Sequence, residues 1–240
     1  MPLSVLLALV RREYRLQYAG SILGTGWLIL EYVLQVSIFY FIFHFVFQKS
    51  PDPLHLLAGM LYWLPLAELF VKTASSLSRN RALIRRTALP AGLFGLVPLF
   101  QAILQFLIFA LLALPLFWHR TTIADFLLAC LLGTANLILF SFPARIFAWQ
   151  SVVFRDLSTL IRMALPALFW TLPIVYQLPA EYSAFMAYHP LAWPLSVIQY
   201  LLAASKLTVS FLPFFCYGVF FLSLFGLARL RLASVARDEL

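Results

Sequence analysis

The feature that most constrains this chain is a succession of apolar stretches, each long enough to cross a lipid bilayer. A transmembrane helix needs about 20 mainly apolar residues, and six such stretches lie at approximately 22–47, 56–77, 91–118, 122–142, 160–178 and 208–228. Hydrophobic residues make up 63% of the 240 residues and charged residues 11%, whereas soluble domains have about 45–50% and about 25%. The sequence therefore predicts an all-α polytopic membrane protein with six transmembrane helices, in which 1–240 form a single transmembrane domain.

The first residues predict an amphipathic interface helix over 3–19. MPLSVLLALV lacks a basic n-region and is followed by RREYR, so a cleaved signal peptide is not expected. Apolar residues recur at helical spacing, whereas Arg11, Arg12 and Arg15 share another face. A helix of this kind lies in the membrane interface with its arginines toward lipid phosphates.

The distribution of Lys and Arg predicts the orientation, because cytoplasmic loops collect basic residues. Most of the 17 Lys and Arg residues fall on the cytoplasmic side when both termini are placed there. A seventh span over 179–206 would put the basic C-terminal segment outside, and Pro190 and Pro194 divide that stretch. We therefore expect 179–206 to form short interfacial or re-entrant helices on the outer side.

The motifs of several enzyme classes do not occur in the sequence. A P-loop needs GxxxxGK[ST], and no lysine of this chain follows such a run. HExxH, GxSxG and a His/Cys cluster do not occur either, so we expect no catalytic residue, no metal ligand and no cofactor in this chain. The net charge of +8 is explained by topology, and no nucleic-acid partner is expected.

Two carboxylates lie inside predicted spans, where ionisable residues are costly and indicate function. Glu31 belongs to a polar stripe with Gly24, Trp27 and Gln35, spaced by three or four residues along the first span. Glu68 lies in the middle of the second span, and no basic partner is expected for either carboxylate inside the membrane. They serve either a structural contact with a neighbouring helix or a proton relay.

A strongly basic loop separates the second and third spans. SSLSRNRALIRRTALP contains four arginines and no acidic residue, and Ser78 or Asn80 can cap a short helix before Pro90. A second, less basic inner loop is predicted over 145–156. Both loops are explained either by topology alone or as contact surfaces for another protein.

Taken together, these segments resemble the integral-membrane subunits of ATP-binding-cassette exporters for O-antigen, capsule and teichoic acid polymers. Members of that family have a basic amphipathic helix, then GSxLGxxW, then an acidic residue or Asn, a pattern matched here by Gly20, Ser21, Gly24, Trp27 and Glu31. LLAGMLYWLPLAE, RDLSTL and LFWTLPIVYQLP also match, and NRALIRRTALP matches the family's coupling helix. Tyr32 stands where the family usually has Pro, and His189 where it commonly has Asn.

The resemblance implies a permease subunit, not an enzyme, that works as a homodimer in the cytoplasmic (inner) membrane with both termini cytoplasmic. A separate nucleotide-binding ATPase subunit would bind ATP and Mg. The substrate would be a polysaccharide, such as a lipid-linked O-antigen, capsule or teichoic-acid polymer. The expected partners are therefore the ATPase subunit, a second copy, the glycan or glycolipid and membrane lipid.

The resemblance also implies three groups of functional residues. Movement of the ATPase would be transmitted by Arg11, Arg12, Arg15, Arg79, Arg81, Arg85 and Arg86. The translocation pathway would be lined by Trp27, Glu31, Gln35, Trp170, Tyr176 and Gln177, and some of the 24 phenylalanines would add an aromatic surface for sugar rings. An outer gate over 179–206 would use Tyr182, Tyr188, His189 and Trp193.

Two alternatives remain open. The first is an exporter of the same superfamily that carries a drug-like or lipid substrate. The second is a secondary transporter or membrane enzyme that uses Glu31 and Glu68 and needs no ATPase.

Overall fold

A computed structural model describes residues 3–46, 52–87, 89–176 and 188–205, together with residues 181, 186, 212, 215–220, 222, 223 and 226. All the regular structure within these residues is helical, which confirms the all-α prediction for this part of the chain. The principal helices are α1 Leu3–Gln17, α2 Gly26–Phe41 with a π-helical turn Ile42–Val46, α3 Pro53–Arg79, α4 Arg81–Arg86, α5 Ala91–Phe94, α6 Val97–Phe117, α7 Ile123–Val153, α8 Leu157–Thr171 and α9 Ala192–Ala203.

Local sequence signals explain where the longest helices begin. Asp52 precedes α3 and its side chain accepts a hydrogen bond from the backbone N–H of Leu54 at 3.2 Å, with Pro53 in the first turn. Thr122 does the same for α7 by accepting from the N–H of Asp125 at 3.1 Å, and its hydroxyl donates to the Asp125 carboxylate at 2.7 Å. The two caps satisfy backbone donors that a helix start leaves without a partner.

Within the described residues, four helical segments are long and apolar enough to cross a membrane: Gly26–Val46, Pro53–Arg79, Ala91–Phe117 and Ile123–Val153. They correspond to the first four predicted spans. The fifth prediction, 160–178, falls on α8, whose 15 residues extend about 22 Å at 1.5 Å per residue, less than the ~30 Å of hydrocarbon. The sixth, 208–228, lies mostly outside the described residues, so the count of six spans stays a prediction.

The predicted inner loop over 145–156 is wrong for most of its length, because α7 continues to Val153. This last part of the helix buries a face against neighbouring helices. Ala148 packs with Leu77 of α3, and the Ser151 hydroxyl donates to the backbone carbonyl of Ala74. Tertiary packing therefore extends the helix beyond the apolar window that the sequence shows.

Helix α3 lies at the centre of the fold and packs against α2, α6, α7, α8 and α9. Every residue over 55–63 is buried, so this part of the helix is covered on all sides, and Leu66 and Leu69 continue the buried face. Gly59 lets the segment after α8 approach closely, because a Cβ atom there would lie 2.9 Å from Cγ2 of Ile174.

Helix α1 packs where α3 and α7 end, next to the short arginine-rich helix α4. Leu6, Leu9 and Val10 form an apolar cluster with Leu77, Phe94, Val97 and Ala148. We call this end of the bundle, which contains α1 and α4, the basic end. The sequence prediction of amphipathic helix 3–19 is confirmed as a helix, and its position in a membrane interface stays a prediction.

Gly133 provides a test of the packing between α6 and α7. A Cβ atom at this position would lie 2.2 Å from Cζ of Phe106, a ring that is 1% exposed. We expect Gly133→Ala to lower the free energy of unfolding by about 1–3 kcal/mol, as overpacking does, measured by thermal unfolding in detergent. Gly92→Ala in α5 is the matched control, since nothing lies within 4 Å of its Cβ. Equal stability of the two variants would contradict this packing.

Candidate translocation cavity

A cavity of about 550 Å³ lies between α2, α3, α6 and α8. Its volume is within the range of about 300–1,000 Å³ that is usual for ligand sites. Polar and charged side chains line one part of it, and aromatic side chains line another. The cavity therefore offers two different kinds of contact to one ligand.

The charged part of the cavity lies toward the basic end. Glu31 comes early in α2, Lys72 comes late in α3, and Arg162 comes early in α8, so all three lie near the helix ends that meet there. Nζ of Lys72 lies 2.6 Å from Oε2 of Glu68. The expectation that Glu68 has no basic partner is therefore wrong, because the spacing of four residues puts Lys72 on the same face of α3.

Several side chains of the cavity have free capacity to accept hydrogen bonds. Gln105 of α6 is 5% exposed and lines the cavity, and its Oε1 has no hydrogen-bond partner among the described residues. Buried polar atoms normally have a partner, so this oxygen is suited to a ligand donor. Glu31 and Gln35, one turn apart on α2, face the same cavity.

The aromatic part of the cavity is built by α2, α3 and α8. The ring centroid of Phe169 lies 5.0 Å from that of Phe39, 5.7 Å from that of Trp63 and 5.5 Å from that of Trp170. Such spacings are typical of aromatic pairs. Phe39, Trp63, Phe169 and Trp170 thus present a continuous aromatic wall.

The structure brings together three of the six residues predicted for the pathway. Glu31, Gln35 and Trp170 line the cavity, whereas Trp27 and Tyr176 do not. Tyr176 instead donates its hydroxyl hydrogen to the backbone carbonyl of Trp170 at 3.2 Å. Gln177 lies outside the described residues, and a role in transport stays a prediction for the whole group.

Other cavity residues were not singled out in the sequence. Lys72 could have been found from its spacing to Glu68. Gln105 could have been found as a polar residue within a very apolar span. The aromatic residues of the wall carry no such signal, because they look like the many other phenylalanines and tryptophans of the apolar stretches.

The arginines predicted to act in coupling fall into two groups. Nη2 of Arg79 lies 2.6 Å from Oε1 of Glu13, and Arg12 donates a hydrogen bond to Oδ1 of Asn80 at 3.1 Å. Both arginines therefore contact residues of their own chain. The others lie on α1 and α4, where Arg11, Arg15, Arg85 and Arg86 are exposed and Arg81 is half-buried.

The predicted gate residues lie around His189, which lines an apolar cavity between α3, α7 and α8. Its Nδ1 accepts a hydrogen bond from the backbone N–H of Leu191 at 3.2 Å, and Nε2 lies 3.2 Å from Oγ1 of Thr171. Because Nδ1 is an acceptor, the hydrogen is on Nε2 and points to Thr171. Tyr188 is exposed, Trp193 is half-buried, and Tyr182 lies outside the described residues.

No sequence pattern singled out His55, yet it joins three separate segments at the end of the bundle opposite the basic end. Its Nδ1 lies 2.9 Å from Oγ of Ser205, and its Nε2 lies 3.1 Å from the backbone oxygen of Pro173. Gln199 of α9 donates to the same Pro173 oxygen at 3.1 Å. These bonds hold the start of α3, the segment after α8 and the end of α9 together.

His189 makes the segment before α9 sensitive to pH. Burial lowers the pKa of His189 below its ordinary value. The unfolded chain therefore binds more protons once the pH falls through about 6.5, and stability is lost until the pH is below the folded pKa. We expect the melting temperature to fall more between pH 7.5 and pH 5 for the wild type than for His189→Asn. The same pH dependence in both proteins would contradict this role of His189.

Comparison with known proteins gives a consistent result. No protein-family model matches the chain. It is 24% identical over 244 residues to an O-antigen export system permease protein RfbA from Klebsiella pneumoniae, which covers 96% of this chain and 94% of that protein. A second Klebsiella pneumoniae protein of the same name is 24% identical over 78% of this chain and 76% of its own length.

A third relative comes from another organism. The O-antigen export system permease protein RfbA of Myxococcus xanthus is 27% identical over 72% of this chain and 68% of its own length. The resemblance predicted from the sequence motifs is thereby confirmed: over nearly its whole length, the chain is similar to the permease proteins of O-antigen export systems.

Proposed function

We propose that this chain is the permease subunit of an ATP-binding-cassette exporter that moves a polysaccharide of O-antigen type across the cytoplasmic membrane. The observation that carries the proposal is the cavity between α2, α3, α6 and α8, with hydrogen-bond acceptors in one part and an aromatic wall in another. The similarity to O-antigen export permeases over 96% of the chain supports the same function.

The chemistry of the cavity fits a glycan. Glu31 and Glu68 carry carboxylates, and Gln105 has an unpartnered carbonyl oxygen, so the site is rich in acceptors. A polysaccharide is rich in hydroxyl donors. The apolar faces of its rings can pack against aromatic side chains such as Trp63 and Phe169, a contact that is large in area and does not fix one position of the ligand. A long polymer can therefore slide along this surface.

The energy for export would come from a separate ATPase subunit that binds ATP and Mg. The sequence contains no GxxxxGK[ST], and we propose that this subunit binds the exposed arginines of α4. Arg85 and Arg86 on α4 form the docking surface, whereas Arg11 and Arg15 on α1 face lipid phosphates. Both termini would then lie on the cytoplasmic side.

We further propose that the permease is a homodimer with six spans per subunit and that its substrate is lipid-linked. In the most apolar 18-residue stretch of Gly26–Val46, only 6% of the residues are buried. A second copy that covers α2 would remove this apolar surface from lipid and close the open side of the cavity. The polymer would then pass between the two copies.

The coupling role of α4 can be tested by a double substitution. Arg85→Ala with Arg86→Ala should reduce surface polymer about tenfold or more, the size of a typical coupling energy, because the ATPase loses its contact with α4. Surface and cytoplasmic polymer would be measured in cells whose own permease gene is deleted. Arg120→Ala, at the opposite end of the bundle, is the control and should retain export. Full export by the Arg85/Arg86 variant would refute the coupling role.

The carboxylates separate the exporter from a secondary transporter or membrane enzyme. If Glu31 and Glu68 carry a proton relay, the purified chain should be active without an ATPase, and Glu31→Gln with Glu68→Gln should abolish that activity. We expect instead that export depends strictly on ATP hydrolysis, measured as polymer export with the wild-type ATPase and with an ATPase variant that cannot hydrolyse ATP. Activity of the permease alone would overturn this expectation.

The material that accumulates in a deletion strain distinguishes a polysaccharide exporter from an exporter of the same superfamily that carries drug-like or lipid molecules. Deletion of the gene should cause a glycan polymer to build up in the cytoplasm if the substrate is a polysaccharide. Unchanged surface glycan in the deletion strain would favour the drug-like or lipid substrate.

A further inference from the structure

A partly buried ion pair joins α1 to the end of α3. Glu13 is the only acidic residue of α1, and its side chain is 13% exposed. One carboxylate oxygen lies 2.6 Å from Nη2 of Arg79, and the other lies 4.0 Å from Nη1 of Arg12. A carboxylate held largely out of water between two guanidinium groups is sensitive to the loss of either partner.

The second contact of Arg12 is made to the joint between α3 and α4. Arg12 donates to Oδ1 of Asn80, whose Nδ2 donates to the backbone oxygen of Ser76 at 2.9 Å and so closes α3. The backbone oxygen of Asn80 accepts from the N–H groups of Leu83 and Ile84 at 3.0 Å each, which begins α4. Arg12 therefore binds the residue whose conformation sets the direction of α4.

The other end of α1 reaches the charged part of the cavity. Lys72, the partner of Glu68, donates to Oε1 of Gln17 at 3.3 Å. After Gln17 the chain turns through Gly20 and Gly24, whose φ angles of 75° and 53° are in the left-handed region that favours glycine. Helix α2 and its cavity residue Glu31 follow directly.

Helix α1 thus has polar contacts at two levels of α3, and it adds apolar contacts in the turn before Arg12. Leu9 and Val10 pack in the cluster that contains Leu77 of α3. If the joint between α3 and α4 shifts, α1 cannot stay in place by sliding along α3, because sliding would break its polar and apolar contacts together. Helix α1 is therefore expected to move with the joint.

We propose that Arg12, Glu13, Arg79 and Asn80 form a positioning cluster, the inner clasp, that carries movement of α4 through α1 to α2 and the cavity. This inference rests on the proposed function and deepens it. It divides the predicted coupling arginines by role: Arg85 and Arg86 dock the ATPase, whereas Arg12 and Arg79 transmit its movement and do not touch it. A path of this kind needs evidence of energetic coupling, since proximity alone does not establish it.

Charge reversal tests the inner clasp. The variants are Glu13→Arg, Arg79→Glu and the double swap, each produced with the ATPase and placed in nanodiscs of phosphatidylethanolamine and phosphatidylglycerol. An environment-sensitive fluorophore on Leu34→Cys in α2 reports movement near the cavity after addition of ATP and Mg²⁺, with Cys130 and Cys216 replaced by serine. Leu34 is exposed on the single chain and adjoins Gln35, so a label there lies next to the cavity, at the proposed contact between the two copies.

We expect both single variants to copurify with the ATPase as the wild type does but to lose the fluorescence change about fivefold or more. The double swap should restore it to within about twofold, because the ion pair is re-formed with reversed polarity. Glu13→Gln is the milder variant if a charge reversal prevents folding, and it should show a smaller loss in the same direction. Arg120→Ala breaks an ion pair with Asp52 at the opposite end and should keep the full signal.

A normal fluorescence change in the single variants would overturn the inner clasp, and so would a double swap whose fluorescence change is not restored. Loss of ATPase binding in the single variants would also overturn it, because Arg79 would then be a docking residue. Failure of the proposed function looks different. In that case the wild-type permease itself binds no ATPase, and the transmission role falls with it.

Discussion

The burial of α3 is the constraint on which the rest of the structure depends. Within a bilayer a helix satisfies its own backbone hydrogen bonds, so its position is decided by side-chain packing. In the most apolar 18-residue stretch of α3, 67% of the residues are buried, and α2, α6, α7, α8 and α9 pack against this helix. One end of α3 carries His55 and its partners, and the other carries Arg79 and Asn80. Both polar clusters are therefore held in register by a single helix.

Around this centre, α8 makes only a narrow buried contact. Leu165 and Phe169 are its buried residues, and its 15 residues are too few to span the hydrocarbon. A short helix with one narrow contact face leaves space beside α3. That space is lined by ionisable groups whose cost in a membrane is high, and the Glu68–Lys72 pair lowers this cost by neutralising both charges.

Sequence patterns identify what is local and miss what is tertiary. Apolar windows identify the first four candidate spans, and the spacing of Glu31 and Gln35 predicts that both face one side of α2. The extension of α7 to Val153 depends on neighbouring helices, whereas the end of α8 at Thr171 follows from Pro173, because the residue before a proline favours the extended conformation that Leu172 has. The His55–Gln199 contact joins residues 144 positions apart, and no local pattern encodes such a pairing. The same is true of the unpartnered oxygen of Gln105, which becomes notable only once the cavity is seen.

The arginines of the basic end show why composition cannot assign roles within a charged segment. A guanidinium has five N–H donors in a fixed planar arrangement, so one that already holds a carboxylate or an amide oxygen has less capacity for another protein. Arg79 and Arg12 are used in this way, and Glu13, the single acidic residue of α1, decides which arginines are used. Arg85 and Arg86 have no acidic neighbour on α4 and stay exposed. The single carboxylate of Glu13 therefore separates arginines that are held within the chain from the arginines that we propose as the docking surface.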